Sequence, residues 1–177
     1  TGAMIDIVRE VGTVSGVPLQ LQAAPFAALI PSLLARRIDV IAAALLRTPE
    51  REHVVAFSEP VFAYSGGLAV AGGDVRDYGG LESLRPLRVG VQLGTRYFDQ
   101  LRAAGVERII TYDSLADLLR DLGHGRIEAV YGDAPIMKYH LRVGPRRHIR
   151  IVEHFAAPAS DELCFVFRHG DALLPRF

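Results

Sequence analysis

Residues 87–141 alternate two kinds of apolar pattern, and that alternation limits the chain to one broad architecture. Leu87–Gln92, Arg108–Tyr112 and Ala129–Gly132 are short apolar runs of strand length. Thr95–Ala104, Ser114–Gly123 and Pro135–Leu141 carry their apolar residues at helical spacing. Successive strands joined by helices must return in the same direction, so the expectation is an α/β fold with a mostly parallel sheet. Gly123 and Gly125 flank His124 where the second of these helices should stop.

The flanks fit the same class. Ile5, Val8, Val11 and Val14 predict a helix that Gly16-Val17-Pro18 terminates. Leu19-Gln20-Leu21-Gln22 alternates like a short strand, and Phe26, Leu29, Ile30, Leu33 and Leu34 mark a second helix. Pro31 is placed in that helix's first turn, where a missing N–H costs little. Ile38 to Leu45 reads as a strand buried on both faces. Residues 61–72 form a long extended segment before Gly72-Gly73-Asp74, and Ile149–Phe155 and Glu162–Phe167 complete the strands. The order predicts two α/β lobes joined by two crossings, near Tyr64–Val70 and Leu163–Phe167. Lobe 1 is assigned residues 1–66 with 164–177 returning to it, and lobe 2 residues 67–163.

Several function classes lose their support. The 177 residues carry 20 basic and 20 acidic side chains, so net charge offers no attraction to nucleic acid or an anionic membrane. Cys164, the only cysteine, excludes an intrachain disulfide; within Leu163-Cys164-Phe165-Val166-Phe167 it is expected as a buried structural thiol. No apolar run approaches the roughly 20 residues of a membrane span. The six histidines show no metal-binding spacing, Ser58 lies in no Gly-x-Ser-x-Gly turn, and Gly90 to Gly94 is no nucleotide loop. Neither a cofactor nor a metal is expected.

Thr48-Pro49-Glu50-Arg51 follows the apolar run Ile38-Asp39-Val40-Ile41-Ala42-Ala43-Ala44 and precedes Val55-Ala56-Phe57-Ser58-Glu59-Pro60. Val89-Gly90-Val91-Gln92-Leu93-Gly94-Thr95, Tyr112-Asp113-Ser114 and Gly125-Arg126-Ile127-Glu128-Ala129-Val130-Tyr131-Gly132-Asp133 follow in order. In this succession the chain resembles the bacterial extracellular solute-binding proteins of family 3, periplasmic proteins that deliver amino acids to ABC importers. The resemblance implies a two-lobed type 2 periplasmic-binding-protein fold that closes on a small amino acid or related carboxylate held between the lobes. It also implies an ABC permease as partner, a monomer, and a periplasmic or extracytoplasmic location. Members of the family open with a strand and loop before the position of Thr1. The first lobe is therefore expected to be partial at both chain ends, and no signal peptide is read ahead of Thr1-Gly2-Ala3-Met4.

Site residues follow from the resemblance combined with side-chain chemistry. Arg51 stands where the family holds the ligand carboxylate, a task suited to a planar fork of N–H donors; ion pairing with Glu50 or Glu52 is the competing role. Asp133 ends a strand where the family anchors the ligand ammonium, and it also suits the N-cap of the helix beginning Ala134-Pro135. Thr95 and the Arg96 backbone N–H sit at a helix start, favourable for an anion, or form an ordinary cap. Phe26 is either a wall against the ligand side chain or a core residue. Tyr97 and Tyr131 are secondary candidates for side-chain contact. Ala44 and Leu46 lie in the turn Ala43-Ala44-Leu45-Leu46, where family members binding polar amino acids carry Ser or Thr. That departure favours an apolar ligand side chain or another small carboxylate. Two other functions remain compatible: a cyclohexadienyl (prephenate or arogenate) dehydratase-like enzyme, and the ligand-sensing domain of a membrane receptor.

Overall fold

A computed structural model describes residues 3–43, 45–144, 148–158 and 161–177. The helices are α1 (Ala3–Ser15), α2 (Leu29–Leu34), α3 (Pro49–Glu52), α4 (Arg96–Ala103), α5 (Leu115–Gly123) and α6 (Ala134–Val143). The strands are β1 (Ala56–Phe57), β2 (Phe62–Tyr64), β3 (Gly66–Ala71), β4 (Val89–Gln92), β5 (Ile109–Tyr112), β6 (Ala129–Asp133), β7 (Ile149–Ile151), β8 (Asp161–Leu163) and β9 (Val166–Phe167). The chain divides into two compact units: Thr1–Ala63 with Asp161–Phe177, and Tyr64–Ser160. No helix among the described residues is long and apolar enough to cross a membrane.

The second unit is built on a five-stranded sheet of order β5-β4-β6-β3-β7. β4 pairs in parallel with β5, from Val89↔Ile109 to Gln92↔Tyr112, and with β6 at Val89↔Ala129 and Gly90↔Val130. These are the strands separated by helices, and the crossover connections impose their common direction. β3 pairs antiparallel with β6, from Gly66↔Asp133 to Val70↔Ala129, and with β7. The sheet is therefore mixed. β3 is the first strand of its unit and follows no crossover helix within it, so nothing obliges it to run with the others.

α5 shows why this core forms. Ser114 caps it, accepting from the Asp117 N–H at 3.2 Å, and Leu115, Leu118, Leu119 and Leu122 make one buried stripe. The stripe packs with Ala69, Ile127, Val130 and Met137.

In the first unit β1 pairs antiparallel with β9, and β2 with β8 in a separate two-stranded ladder. Leu33, Ile41, Leu45, Val55 and Val166 form one core cluster; Val8, Phe165 and Phe167 centre another. α1 ends as its sequence predicts, with Val17 N–H donating to Gly12 O at 2.8 Å. The extended segment from Ile38 departs from expectation. Its ladder contact is an antiparallel bridge at Ile41, which exchanges bonds of 2.9 and 3.1 Å with Val166. Val40, Ala42 and Ala43 are only half-buried rather than enclosed on both faces. Leu19–Gln22 joins no ladder, and Leu21 is exposed; alternation predicts a strand only where a neighbouring strand answers it. Ile149–Phe155 contracts to β7, and Glu162–Phe167 divides into β8 and β9.

Candidate functional site

In the first unit, Thr48-Pro49-Glu50-Arg51 is a one-turn helix start. Thr48 is the N-cap of α3, its hydroxyl accepting from the Arg51 N–H at 3.3 Å, and Pro49 opens the turn. The cap fixes where the arginine departs, and its Nη1 folds back to donate to the Leu46 carbonyl at 2.7 Å. Arg51 is half-buried. Of the two acidic neighbours expected to compete for it, Glu52 accepts from Arg47 Nε at 2.5 Å instead. Leu46 is 3% exposed and bridges Leu163, so its side chain belongs to the core while its carbonyl holds the arginine. Phe26 begins a short 3₁₀ turn and packs, half-buried, against the cluster around Leu33 and Ile41. Ala44 lies outside the described residues.

In the second unit, Asp133 is the last residue of β6 and 8% exposed. It occupies the N-cap position of α6, yet its side chain makes no capping bond. The carboxylate is engaged elsewhere. Tyr97 Oη donates to Oδ1 at 2.7 Å, and Tyr64 Oη donates to the same oxygen. Burial pushes the Asp133 carboxyl above its ordinary range, and the two hydroxyls and its own backbone N–H pull only part of the way back. An ionised carboxylate here would be stabilised by an incoming cation, because a buried charge without a counter-charge is costly.

Thr95 is the N-cap residue of α4 and 7% exposed, but its hydroxyl turns away from the helix to donate to Gln92 O at 2.7 Å. Arg96 is half-buried in the first turn. Gln100, one turn on, links it to the sheet. With the amide oxygen toward Arg96, Nε and Nη2 donate to it at 3.0 and 2.7 Å, while the amide nitrogen donates to Tyr131 Oη at 2.7 Å. The Tyr131 ring meets Tyr97 edge-on, with centroids 5.0 Å apart, and Phe155 at 5.9 Å.

Within the second unit the structure thus gathers Asp133, Tyr97 and Tyr131, with Arg96 joined through Gln100. Tyr64 and Gln100 escape sequence reasoning. Tyr64 lies 69 positions from Asp133, and only the pairing of Gly66 with Asp133 brings them together. Gln100 was recoverable in part, since it stands four residues after Arg96 on one helix face. Among the described residues no group of three His, Cys, Asp or Glu is placed to hold a metal.

Comparison with known proteins gives a consistent picture. A family model described as "Bacterial extracellular solute-binding proteins, family 3" matches residues 1–174. The chain is 34% identical over 122 residues to the putative ABC transporter arginine-binding protein 2 of Escherichia coli K12, covering 68% of this chain and 49% of that protein. It is 33% identical over 137 residues to the histidine-binding periplasmic protein of the same organism, covering 75% of this chain and 52% of that one. It spans about half the length of these curated relatives. Among solved structures, the arginine-bound form of a truncated ArgBP from T. maritima superimposes with a TM-score of 0.91 at 28% identity. That match covers 99% of this chain and 82% of the other.

Proposed function

The chain belongs to the bacterial extracellular solute-binding proteins, family 3, and we propose that it captures a free amino acid outside the cytoplasm and passes it to an ABC permease. The observation that carries this reading is the buried Asp133 carboxylate, held on one oxygen by two tyrosine hydroxyls and lacking a capping bond. A ligand ammonium supplies the counter-charge such a group needs. Arg51, in the first unit, is proposed as a contact for a ligand carboxylate. Its guanidinium is set by the Thr48 cap and the Leu46 carbonyl and offers a fork of donors to a carboxylate. Thr95 and Arg96 are proposed as further carboxylate contacts at the start of α4, and Phe26 as an apolar contact.

Relatives named for arginine and histidine put basic amino acids first among ligands. The matched relatives are named as binding proteins, which sets the dehydratase reading aside. A thermal-shift screen against the twenty amino acids, with Arg51→Ala and Asp133→Asn alongside, tests the proposal. A ligand at one hundred times its Kd adds about 2.7 kcal/mol, and both variants should lose that rise. A panel in which no amino acid raises the midpoint overturns the reading.

A further inference from the structure

We propose that Tyr64 and Tyr97 are positioning residues that clamp Oδ1 of Asp133 and so present Oδ2 to the ligand's ammonium group. The inference rests on the function proposed above. Three observations support it. Both phenol hydroxyls converge on Oδ1, from two separate elements: the end of β2 and the first turn of α4. Each carboxylate oxygen offers about two lone-pair sites, so the two phenols together occupy Oδ1 and leave Oδ2 without a phenol donor. Asp133 is also free of the role its position suggests, since it makes no side-chain bond to α6.

The third observation is steric. Gly66 is the register partner of Asp133 across β3 and β6. A Cβ at Gly66 would stand 2.9 Å from Tyr131 Oη and 3.0 Å from Tyr97 Cε1. The bare backbone at Gly66 is therefore what lets both rings close over this end of the sheet. Tyr131, whose hydroxyl is committed to Gln100, buttresses the Tyr97 ring edge-on.

The clamp has a consequence for the charge on Asp133. Among the described residues, the titratable side chains that donate to it are Tyr64 from β2 and Tyr97 from α4; on β6 itself Tyr131 bonds Gln100, and β3 pairs Gly66 with it. The influences on its carboxyl are burial, the two phenols and its own backbone N–H, with no charged side chain among them. The phenols are thus the side chains that, with its own backbone N–H, favour the ionised form before ligand arrives. Removing either should disfavour that form and raise the Asp133 carboxyl further.

The test is a carbon-detected NMR titration of the Asp133 carboxyl in the ligand-free protein and in Tyr64→Phe and Tyr97→Phe. Ligand affinity across pH is measured for the same proteins and for Asp133→Asn, using the amino acid with the largest thermal shift. The clamp predicts that each phenylalanine variant titrates Asp133 at higher pH. It also predicts that the affinity profile moves upward in pH with it, the same tightness being reached only at higher pH. Unchanged titration in both variants overturns the clamp, whatever the ligand results. Loss of binding in Asp133→Asn with unchanged phenylalanine variants rejects the clamp alone. Full binding in Asp133→Asn rejects the ammonium anchor, and the clamp's function with it. Gly66→Ala should reproduce the shift with both hydroxyls still in the chain.

Discussion

At the scale of single residues, Ser58 shows how a side chain can hold two distant stretches in register. It is 5% exposed, and its N–H donates to Phe165 O at 2.9 Å. Its hydroxyl accepts from Phe165 N–H at 2.9 Å and donates to Glu59 O at 2.8 Å. One residue therefore satisfies both backbone groups of Phe165, itself fully buried between β8 and β9. Ser58→Ala keeps the shape but leaves the Phe165 N–H unanswered, and the expected cost is about 1–3 kcal/mol. A urea midpoint close to that of the wild type would show that the N–H finds another acceptor. Phe57-Ser58-Glu59-Pro60 is visible as a motif in the sequence, but its partner stands 107 positions away and leaves no local trace. Asp133 is similar. Its place at a strand end is legible, whereas the choice of tyrosines over the helix cap depends on which rings the sheet order brings to it.

At the scale of elements, legibility follows the range of the forces involved. α4, α5 and α6 and the strands β4, β5 and β6 all fall where periodicity and capping residues place them, because those signals act within a few positions. The direction of β3 and the lone bridge of Ile41 to Val166 depend on strand neighbours distant in sequence, which periodicity does not encode. Gly90 illustrates the gap between pattern and packing. In the sequence it is notable as part of the Val89–Thr95 stretch and as half of a failed nucleotide loop. In the structure it lies on β4 under α5, where a Cβ would come within 2.5 Å of both Ile127 Cδ1 and Leu118 Cδ2. The absent side chain thus sets how closely α5 approaches the sheet. Gly90→Ala must push those two core side chains aside, at a cost of about 1–3 kcal/mol. Hydrogen exchange of α5 amides should accelerate in the variant, and exchange as slow as in the wild type would mean the core has slack to absorb a methyl group.

At the scale of the whole molecule, two carboxylates pull the stability–pH profile in opposite directions. Asp74 lies in the turn after β3 and accepts from Arg76 Nε and Nη2, the Arg76 N–H and Tyr78 Oη. The Arg76 guanidinium is the chief reason its carboxyl is lowered from 3.8 to about 2. A carboxyl depressed by folding stabilises the protein above its unfolded value, and that contribution is lost as pH falls from about 3.8 through about 2. Asp133 is raised above 3.8 by burial, so its sign is reversed. Its contribution is fully present below 3.8 and is lost as pH rises through the folded-state value. The ligand-free protein should therefore lose stability on the alkaline side of that value, where the fold must hold an ionised carboxylate out of water. Asp133→Asn removes the charge and still offers the two phenols an amide oxygen. Urea unfolding across pH should find this variant more stable than the wild type at neutral pH and equal to it in acid, where both side chains are neutral. The same variant should fail to gain stability from amino acids, since a neutral amide gives an ammonium group no counter-charge. A variant that unfolds more easily than the wild type at neutral pH would instead make the ionised Asp133 a stabilising element of the fold. Stability gained together with response lost identifies Asp133 as a group kept for binding against the preference of the fold.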